Sequence, residues 1–217
     1  MRGGLLPSEA YAAGVAEGRW QADPAQAEAL AALDRIQRAL THTPAGGLLA
    51  GLRARLSAPA PVQGLYLWGG VGRGKTFLTD LLFEHVALRR KRRWHFHRFM
   101  GEVHAHLAAL PDRADPLAEV ADRLAEETRL LVLDEFFVSD IGDAMILGRL
   151  LSGLFERGVT LVTTSNIAPD GLYRDGLQRA RFLPAIELIK SHCQVLELVS
   201  PRDYRLRQLT QAPVYRQ

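Results

Sequence analysis

Residues 64–88 read GLYLWGGVGRGKTFLTDLLFEHVAL, a stretch in which three patterns follow one another. The apolar run at 64–69 predicts a short buried strand that ends in glycines. Residues 75–88 carry apolar side chains at helical spacing and predict a helix. A glycine-rich loop between a strand and a helix is the setting in which backbone N–H groups surround a phosphate. The stretch therefore predicts a P-loop NTPase.

The loop GGVGRGKT, residues 69–76, matches the pattern G-x-x-x-x-G-K-[ST]. A chance glycine turn before a lysine is the alternative, but the flanking strand and helix favour a phosphate site. The helix directs its positive end at an anion. Lys75 is expected to reach the β- and γ-phosphates, and Thr76 to place its hydroxyl on Mg²⁺. The residues predicted to contact the nucleotide are Gly69, Gly70, Val71, Gly72, Arg73, Gly74, Lys75, Thr76 and Phe77.

The rest of the chain alternates apolar runs with helical patterns. Continuous apolar strands between helices indicate an α/β fold, in which a parallel sheet is covered on both faces. Such sheets bind ligands at the carboxyl ends of their strands. Further strands are predicted at residues 94–99, 130–136, 159–166 and 194–199, and helices at 23–40, 100–110, 117–128, 143–158 and 176–192.

Two acidic residues, Asp134 and Glu135, stand at the end of the strand predicted at 130–136. A strand-ending acidic turn is the simpler explanation. They follow the P-loop in the chain after an intervening strand and helical segment, and this position favours a functional pair instead. Asp134 is expected to hold the Mg²⁺ shell, and Glu135 to orient and deprotonate the attacking water.

Polar residues end the next predicted strand, and two arginines follow it. Asn166 is the candidate for contacting the γ-phosphate or the water, with Thr164 as the alternative and turn capping as the structural explanation. Arg179 or Arg181 would stabilise transition-state charge from a neighbouring subunit, unless both are solvated on a helix surface. The residues expected to act in catalysis are Lys75, Glu135, Asn166, Arg179 and Arg181.

Five consecutive cations, Arg89–Arg93, precede a histidine-rich segment. The favoured interpretation is a solvated helix end, where cations complement the helix dipole. The alternative is a patch for nucleic acid or anionic lipid. His95 and His97 are expected on one strand face, and the spacing of the histidines does not favour a metal site.

The composition is ordinary for a globular protein. The 217 residues include 27 Lys and Arg against 24 Asp and Glu, a formal net charge of +3, and 47% are hydrophobic. The single cysteine, Cys193, excludes an internal disulfide and fits a reducing compartment. No apolar run reaches the ~18 residues of a membrane span. We expect a cytoplasmic protein with, at most, peripheral membrane contact.

Several longer stretches, taken together, resemble the ZapE-type cell-division ATPases of proteobacteria. These ATPases are similar to the mitochondrial AFG/LACE-type ATPases, and both groups belong to the AAA+ superfamily. The long stretches are far more specific than a P-loop alone. They are LYLWGGVGRGKTFLTDLLFE (65–84), HFHRFMGEVH (95–104), LDEFFVSDIGDAMILGRL (133–150), VTLVTTSNIAPDGLYRDGLQRARFLPAIELI (159–189) and DYRLRQLT (203–210).

The resemblance implies an AAA+ αβα core with a five-stranded parallel sheet in the order 5-1-4-3-2. It implies that the nucleotide is ATP with Mg²⁺ and that Asn166 is the first sensor. It also implies homo-oligomers in which Arg179 or Arg181 acts in trans. The implied partner is the tubulin-like FtsZ polymer, at the division septum on the inner face of the plasma membrane.

The same resemblance divides the chain into three parts. Residues 1–60 form an N-terminal helical segment that contributes to the nucleotide pocket, with adenine held near Asp23 and Gln26. Residues 61–200 form the ATPase core, entered through a Pro- and Gly-rich break at 57–64. Residues 201–217 match the start of a C-terminal region, and the helical lid of the family is expected to be absent.

Three other functions stay open on the sequence. An AAA+ protein linked to nucleic acid, such as a helicase loader, is the alternative that the basic run leaves open, although we expect nucleic acid not to be the partner. An absent lid favours a nucleotide-gated binding module with negligible turnover. The mitochondrial relatives raise protein quality control at a membrane.

Overall fold

The computed structural model describes residues 4–41 and 62–199. Their strands form one sheet in which every neighbouring pair is parallel. The spatial order is β2-β3-β4-β1-β5, which confirms the predicted order 5-1-4-3-2. The predicted break at 57–64 falls largely outside the described residues, and the predicted C-terminal region does so entirely. The strands are β1 (Gly64–Trp68), β2 (Lys91–His95), β3 (Leu130–Asp134), β4 (Thr160–Ser165) and β5 (Cys193–Glu197).

Helices cover both faces of this sheet in the described part of the chain. Not one of them has both the length and the apolar character that crossing a membrane requires. Short 3₁₀ turns lie at Pro24–Gln26, Pro169–Gly171 and Arg179–Arg181. The α-helices are α1 (Pro7–Ala16), α2 (Ala27–Thr41), α3 (Lys75–His85), α4 (Phe96–Ala108), α5 (Pro116–Glu127), α6 (Ile141–Glu156) and α7 (Leu183–His192).

Side-chain alternation along the strands divides the core into two layers. Leu65 and Leu67 of β1 pack in one cluster with buried residues of α1, α2 and α3. Tyr66, between them, packs in the other cluster with α4, α5, α6 and α7. The N-terminal helices α1 and α2 therefore bury their apolar faces on the same sheet as the rest of the core, forming one αβα sandwich.

The register of the strands brings the candidate site residues to one edge of the sheet. Trp68 of β1 is paired with Ser165 of β4, and His95 of β2 with Asp134 of β3. All five strands run in the same direction, so their carboxyl ends meet there. The loop after β1, the acidic end of β3 and the polar end of β4 are consequently neighbours.

The strand predicted at 94–99 is wrong in its position. The structure has β2 at Lys91–His95, and α4 begins at Phe96. Phe96, Phe99 and Met100 are buried at helical spacing and form the apolar face of α4. That spacing favours a helix over a strand. His97 lies in this helix, so it does not share a strand face with His95.

The interpretation of Arg89–Arg93 as a solvated helix end is also wrong. The last three cations of the run belong to the edge strand β2, where lysine and arginine protect the strand from pairing with another chain. Lys91 donates hydrogen bonds to the carbonyls of Phe83 and Val86 at the end of α3. Arg92 pairs with Glu127, on another face of the strand. Most of the run is thus engaged in contacts within the fold.

The helix predicted at 176–192 is shorter than expected. Gln178 adopts a left-handed conformation with φ of 57°, and Arg179–Arg181 form a 3₁₀ turn. The α-helix begins only at Leu183, with Pro184 in its first turn, where a proline is well accommodated. The helix predicted at 23–40 is confirmed, with its first turn in 3₁₀ form and capped by Asp23, whose carboxylate accepts a hydrogen bond from the Ala25 N–H.

Candidate nucleotide-binding site

Glycines shape the loop between β1 and α3. Gly69 has φ of 144°, and a Cβ there would lie 2.6 Å from the carbonyl oxygen of Leu198. Gly74 has φ of 88° and directly precedes the first turn of α3. Both conformations are unfavourable for residues with a side chain. The loop therefore needs glycine at these two positions to turn its backbone towards the start of α3.

Lys75 lies across this loop with its ammonium group between three oxygens. Its Nζ donates to the carbonyls of Gly69 at 2.7 Å and Gly70 at 2.8 Å, and to Oδ1 of Asn166 at 3.0 Å. Burial lowers the pKa of Lys75, and the charge of Arg73 lowers it further, while Glu135 opposes them. A positive charge is thus held at the mouth of the loop, next to the end of β4.

The acidic pair at the end of β3 consists of one buried and one exposed carboxylate. The side chain of Asp134 is 7% exposed and accepts hydrogen bonds from Arg93, whereas that of Glu135 is 75% exposed. Glu135 has φ of 56°, a left-handed conformation that is uncommon for a residue with a side chain. Its carboxylate lies 3.7 Å from Nδ1 of His95.

The end of β4 holds the Glu135 backbone in this conformation. Oγ1 of Thr164 accepts a 3.1 Å hydrogen bond from the Glu135 N–H, and the Thr164 carbonyl accepts one of 2.7 Å from Phe136. Ser165 donates to the Phe136 carbonyl at 2.8 Å. Thr164 and Ser165 are buried in these structural bonds, which leaves the exposed Asn166 as the β4-end residue that faces the loop.

These groups surround a cleft of about 430 Å³. It is lined by residues 71–77 of the loop and α3, Asp80 of α3, Glu135, and residues 164–166 at the end of β4. The structure therefore brings most of the predicted nucleotide contacts together with Glu135 and Asn166. Asp134, the last residue of β3, is not among the lining residues but directly precedes Glu135. Phe77 lines the cleft but also packs against Tyr11 and Trp20 of the N-terminal segment.

The donor set fits a magnesium-bound phosphate chain. The Thr76 hydroxyl and the Asp134 and Glu135 carboxylates are oxygen ligands, which Mg²⁺ prefers. Lys75 and the N-terminus of α3 supply positive charge to an anion. The chemistry of the cleft thus matches both parts of a Mg²⁺–nucleoside triphosphate.

The two arginines predicted to act in catalysis lie elsewhere in the subunit. Arg179 donates from Nη2 to the Asp170 carbonyl at 2.7 Å, and Arg181 donates to the side chain of Gln178 at 2.9 Å. Neither is among the residues that line the cleft. Their turn is flanked by the exposed side chains of Leu177 and Leu183.

Two further predictions concern adenine. Asp23 is buried and caps its 3₁₀ turn, and Gln26 is buried with no hydrogen-bond partner for its amide among the described residues. Neither residue lines the cleft. Their assignment to adenine stays a prediction.

Sequence reasoning missed the role of Arg93 beside Asp134. The arginine appears in the sequence as one of five cations, and it is 41 residues away from Asp134. The signal that could have found it is the alternation along an edge strand next to a strand with an acidic end. That signal becomes usable only once the strand limits are known.

A larger cleft of about 910 Å³ adjoins the site on the other side of Glu135 and Asn166. It lies between α4, the segment after β3 and the end of β4. Acidic side chains line it, together with Phe137, whose ring is exposed. His104 Nε2 and Asp143 Oδ1, 2.7 Å apart, lie on one wall. No lysine or arginine is found among its lining residues in the described part of the chain.

Comparison with known proteins identifies the family to which this chain belongs. A model of the AFG1-like ATPase family matches residues 5–217. The chain belongs to the AFG1-like ATPase family. It is 52% identical over 221 residues to Cell division protein ZapE of Escherichia coli (strain K12), covering 97% of this chain and 59% of that protein. It is 46% identical over 167 residues to Lactation elevated protein 1 homolog B of Danio rerio, covering 72% of this chain and 33% of that protein.

The chain therefore spans less than two-thirds of the length of these two relatives. Among solved structures, DnaI has a similar fold, with a TM-score of 0.58, 18% identity, and 86% and 87% of the two chains covered. At this identity the likeness concerns the fold alone, and it supports the P-loop NTPase architecture described above.

Proposed function

We propose that the chain binds Mg-ATP in the cleft at the carboxyl edge of the sheet and hydrolyses it to ADP and phosphate. The observation that carries this proposal is the convergence of Lys75, Glu135 and Asn166 around one glycine-rich loop. Membership of the AFG1-like ATPase family supports the same activity.

Each residue has a distinct task in this mechanism. Lys75 exchanges its loop carbonyls for phosphate oxygens, and the loop N–H groups bind the same anion. Glu135, held by Thr164 and exposed to the cleft, accepts a proton from the attacking water. Asn166 orients that water or the terminal phosphate. Thr76 and Asp134 would hold Mg²⁺, which neutralises charge on the phosphates during transfer.

Two substitutions separate binding from hydrolysis. Lys75→Ala should abolish the binding of ATP, because the cation of the loop is lost. Glu135→Gln keeps the size of the side chain and one acceptor oxygen but removes the base, so it should bind ATP and release no phosphate. Phosphate release at the wild-type rate in both variants would exclude this site as the catalytic centre.

We propose that one of Arg179 and Arg181 acts on the site of a neighbouring subunit. Within one subunit neither lines the nucleotide cleft, while their turn exposes Leu177 and Leu183. The larger cleft beside Glu135 offers acidic groups and the exposed ring of Phe137. A basic, apolar-flanked turn is complementary to such a surface. Homo-oligomers assembled in this way would complete each active site in trans.

The cellular role proposed here is in bacterial cell division, by destabilising FtsZ polymers at the inner face of the plasma membrane. It is supported by the resemblance to ZapE and by 52% identity to a protein named for cell division. Co-sedimentation of FtsZ with this chain tests it. The proposal expects less pelleted polymer with ATP than without, and no such change with Glu135→Gln. An identical pellet with and without ATP would contradict the division role and leave the ATPase proposal standing.

A further inference from the structure

Arg93 belongs to the basic run, yet it lies inside the fold beside the proposed magnesium site. It is the third residue of the edge strand β2, next to β3, and its side chain is only 19% exposed. Lys91, two residues earlier, contacts the end of α3, so alternation directs Arg93 to α3 as well. Arg92, between them, pairs with the exposed Glu127 instead.

The guanidinium of Arg93 bridges two carboxylates on different elements. Its Nε and Nη2 donate to the two oxygens of Asp134, at 2.6 and 3.2 Å. Its Nη1 donates to Oδ1 of Asp80 on α3. Both oxygens of the buried Asp134 thus accept from one planar group, which fixes the plane of that carboxylate. Burial opposes the charge on Arg93, but hydrogen bonds and the charges of Asp134 and Asp80 outweigh it and raise its pKa.

We infer that Arg93 is a positioning residue for magnesium-dependent nucleotide binding, acting by holding the Asp134 carboxylate in place and tying it to α3 through Asp80. This inference rests on the proposed Mg-ATP site. α3 begins with Lys75 and Thr76, and Asp80 lies one turn further along the same helix. The Arg93 bridge therefore connects the acidic end of β3 to the helix that carries the phosphate-binding residues.

The fork of arginine is essential to this role. A lysine at position 93 keeps the charge but presents a single ammonium, which cannot bind both oxygens of Asp134 in one plane. Partners that orient a metal-binding carboxylate typically change metal affinity or activity by about 10–100-fold when they are removed. The effect should therefore appear in the contribution of Mg²⁺ to nucleotide affinity.

The experiment measures the dissociation constant of the fluorescent nucleotide mant-ATP in Mg²⁺ and in EDTA. The constant in EDTA divided by the constant in Mg²⁺ reports how much Mg²⁺ strengthens binding. For Arg93→Lys and Arg93→Met we expect this ratio to fall roughly 10-fold, with a smaller change in EDTA alone. Arg92→Met is the matched control, since it removes an arginine from the same strand without touching Asp134, and should keep the wild-type ratio.

Thermal unfolding of each variant accompanies the titrations, because Arg93→Met leaves two partly buried carboxylates without their cation. If that variant does not fold, Arg93→Lys decides alone. A wild-type Mg²⁺ ratio in folded Arg93→Lys, or equal weakening with and without Mg²⁺, would overturn the positioning role. Wild-type protein that binds mant-ATP no better with Mg²⁺ than with EDTA would instead overturn the proposed Mg-ATP site itself.

Discussion

At the residue scale, the Thr164 hydroxyl is the side-chain acceptor that helps to hold the backbone of Glu135. Its N–H donates to Thr164 Oγ1 while the residue holds φ of 56°. Thr164→Val keeps the side-chain shape but removes the acceptor, which should cost about 1–3 kcal/mol of stability. Because a displaced base loses its alignment with the water, hydrolysis should fall roughly 10- to 100-fold while ATP-analogue affinity stays unchanged. Steady-state phosphate release and analogue binding measure the two effects.

Thr163→Val is the matched control for that prediction. Thr163 is also buried in β4, but its hydroxyl donates to the Leu133 carbonyl at 2.7 Å, away from Glu135. It should lose stability without a comparable loss of turnover. Equal turnover in the two variants would show that Thr164 does not support Glu135.

Cys193 gives a second prediction at this scale, concerning pH. Burial raises the pKa of its thiol to about 12, whereas a thiol in an unfolded chain has a pKa of about 8.5. The unfolded state therefore loses this proton first, so stability is lost as the pH rises from about 8.5 towards 12. Between pH 8 and pH 10, we expect the thiol to lower the free energy of unfolding by about 2 kcal/mol.

Urea unfolding of the wild type and Cys193→Ala at both pH values isolates this contribution, because other titrating groups are common to the two proteins. The variant should lose less stability than the wild type over the same interval. The same pH dependence in both proteins would contradict the assignment. Rapid alkylation of the native thiol at pH 8 would also contradict its burial.

At the element scale, β2 is stabilised by its own cations. Nζ of Lys91 donates to the carbonyls of Phe83 and Val86 and so satisfies acceptors at the end of α3. Lys91→Met should therefore lower the free energy of unfolding by about 1–2 kcal/mol. Arg89→Met, at an exposed position before the strand, should change it by less than about 0.5 kcal/mol. Chemical denaturation measures the free energy of unfolding of both variants. Equal losses in the two would contradict the capping role of Lys91.

The elements that were predicted correctly carry their signals locally. The strand, loop and helix at 64–88 are specified by an apolar run, glycines and helical spacing within one stretch. The limits of β2 are different, because its charged residues become a strand only by pairing with Leu130–Asp134 of β3. The bridge from Arg93 to Asp134 depends on that register. It was therefore beyond the reach of the sequence pattern.

Helix α1 shows a further limit of pattern reasoning. Its residues are mostly small or polar and give little amphipathic contrast, so the pattern alone does not mark a separate helix at Pro7–Ala16 within the N-terminal segment expected to be helical. Tertiary contacts supply what the pattern lacks. The Ser8 N–H donates to Asp34 of α2 at 3.0 Å, and Tyr11 contacts Trp20 and Phe77 through its ring. Most of the stability of a short helix comes from such packing.

At the scale of the whole molecule, the site is expected to be shared between two subunits. Head-to-tail assembly would bring the turn of Arg179 and Arg181 to the Glu135 side of the next copy. The Glu135→Gln variant would then lack the base but supply arginines, while Arg179→Ala/Arg181→Ala would lack arginines but supply the base. Each should be inactive alone. Mixing them in equal amounts should restore about a quarter of the interfaces to wild-type composition.

Phosphate release by the mixture measures that recovery. The control is a protein that carries all four substitutions, Lys75→Ala, Glu135→Gln, Arg179→Ala and Arg181→Ala. Mixing it with either variant should recover no phosphate release. An inactive mixture that still co-assembles by light scattering would contradict action in trans.

The single variants then separate the two arginines. Arg179 is held by the Asp170 carbonyl, whereas Arg181 is exposed and its hydrogen bond among the described residues is to Gln178, three residues earlier. Arg181 can reach a neighbouring subunit by breaking a single exposed hydrogen bond to a nearby side chain. We therefore expect Arg181→Ala to lose more turnover than Arg179→Ala.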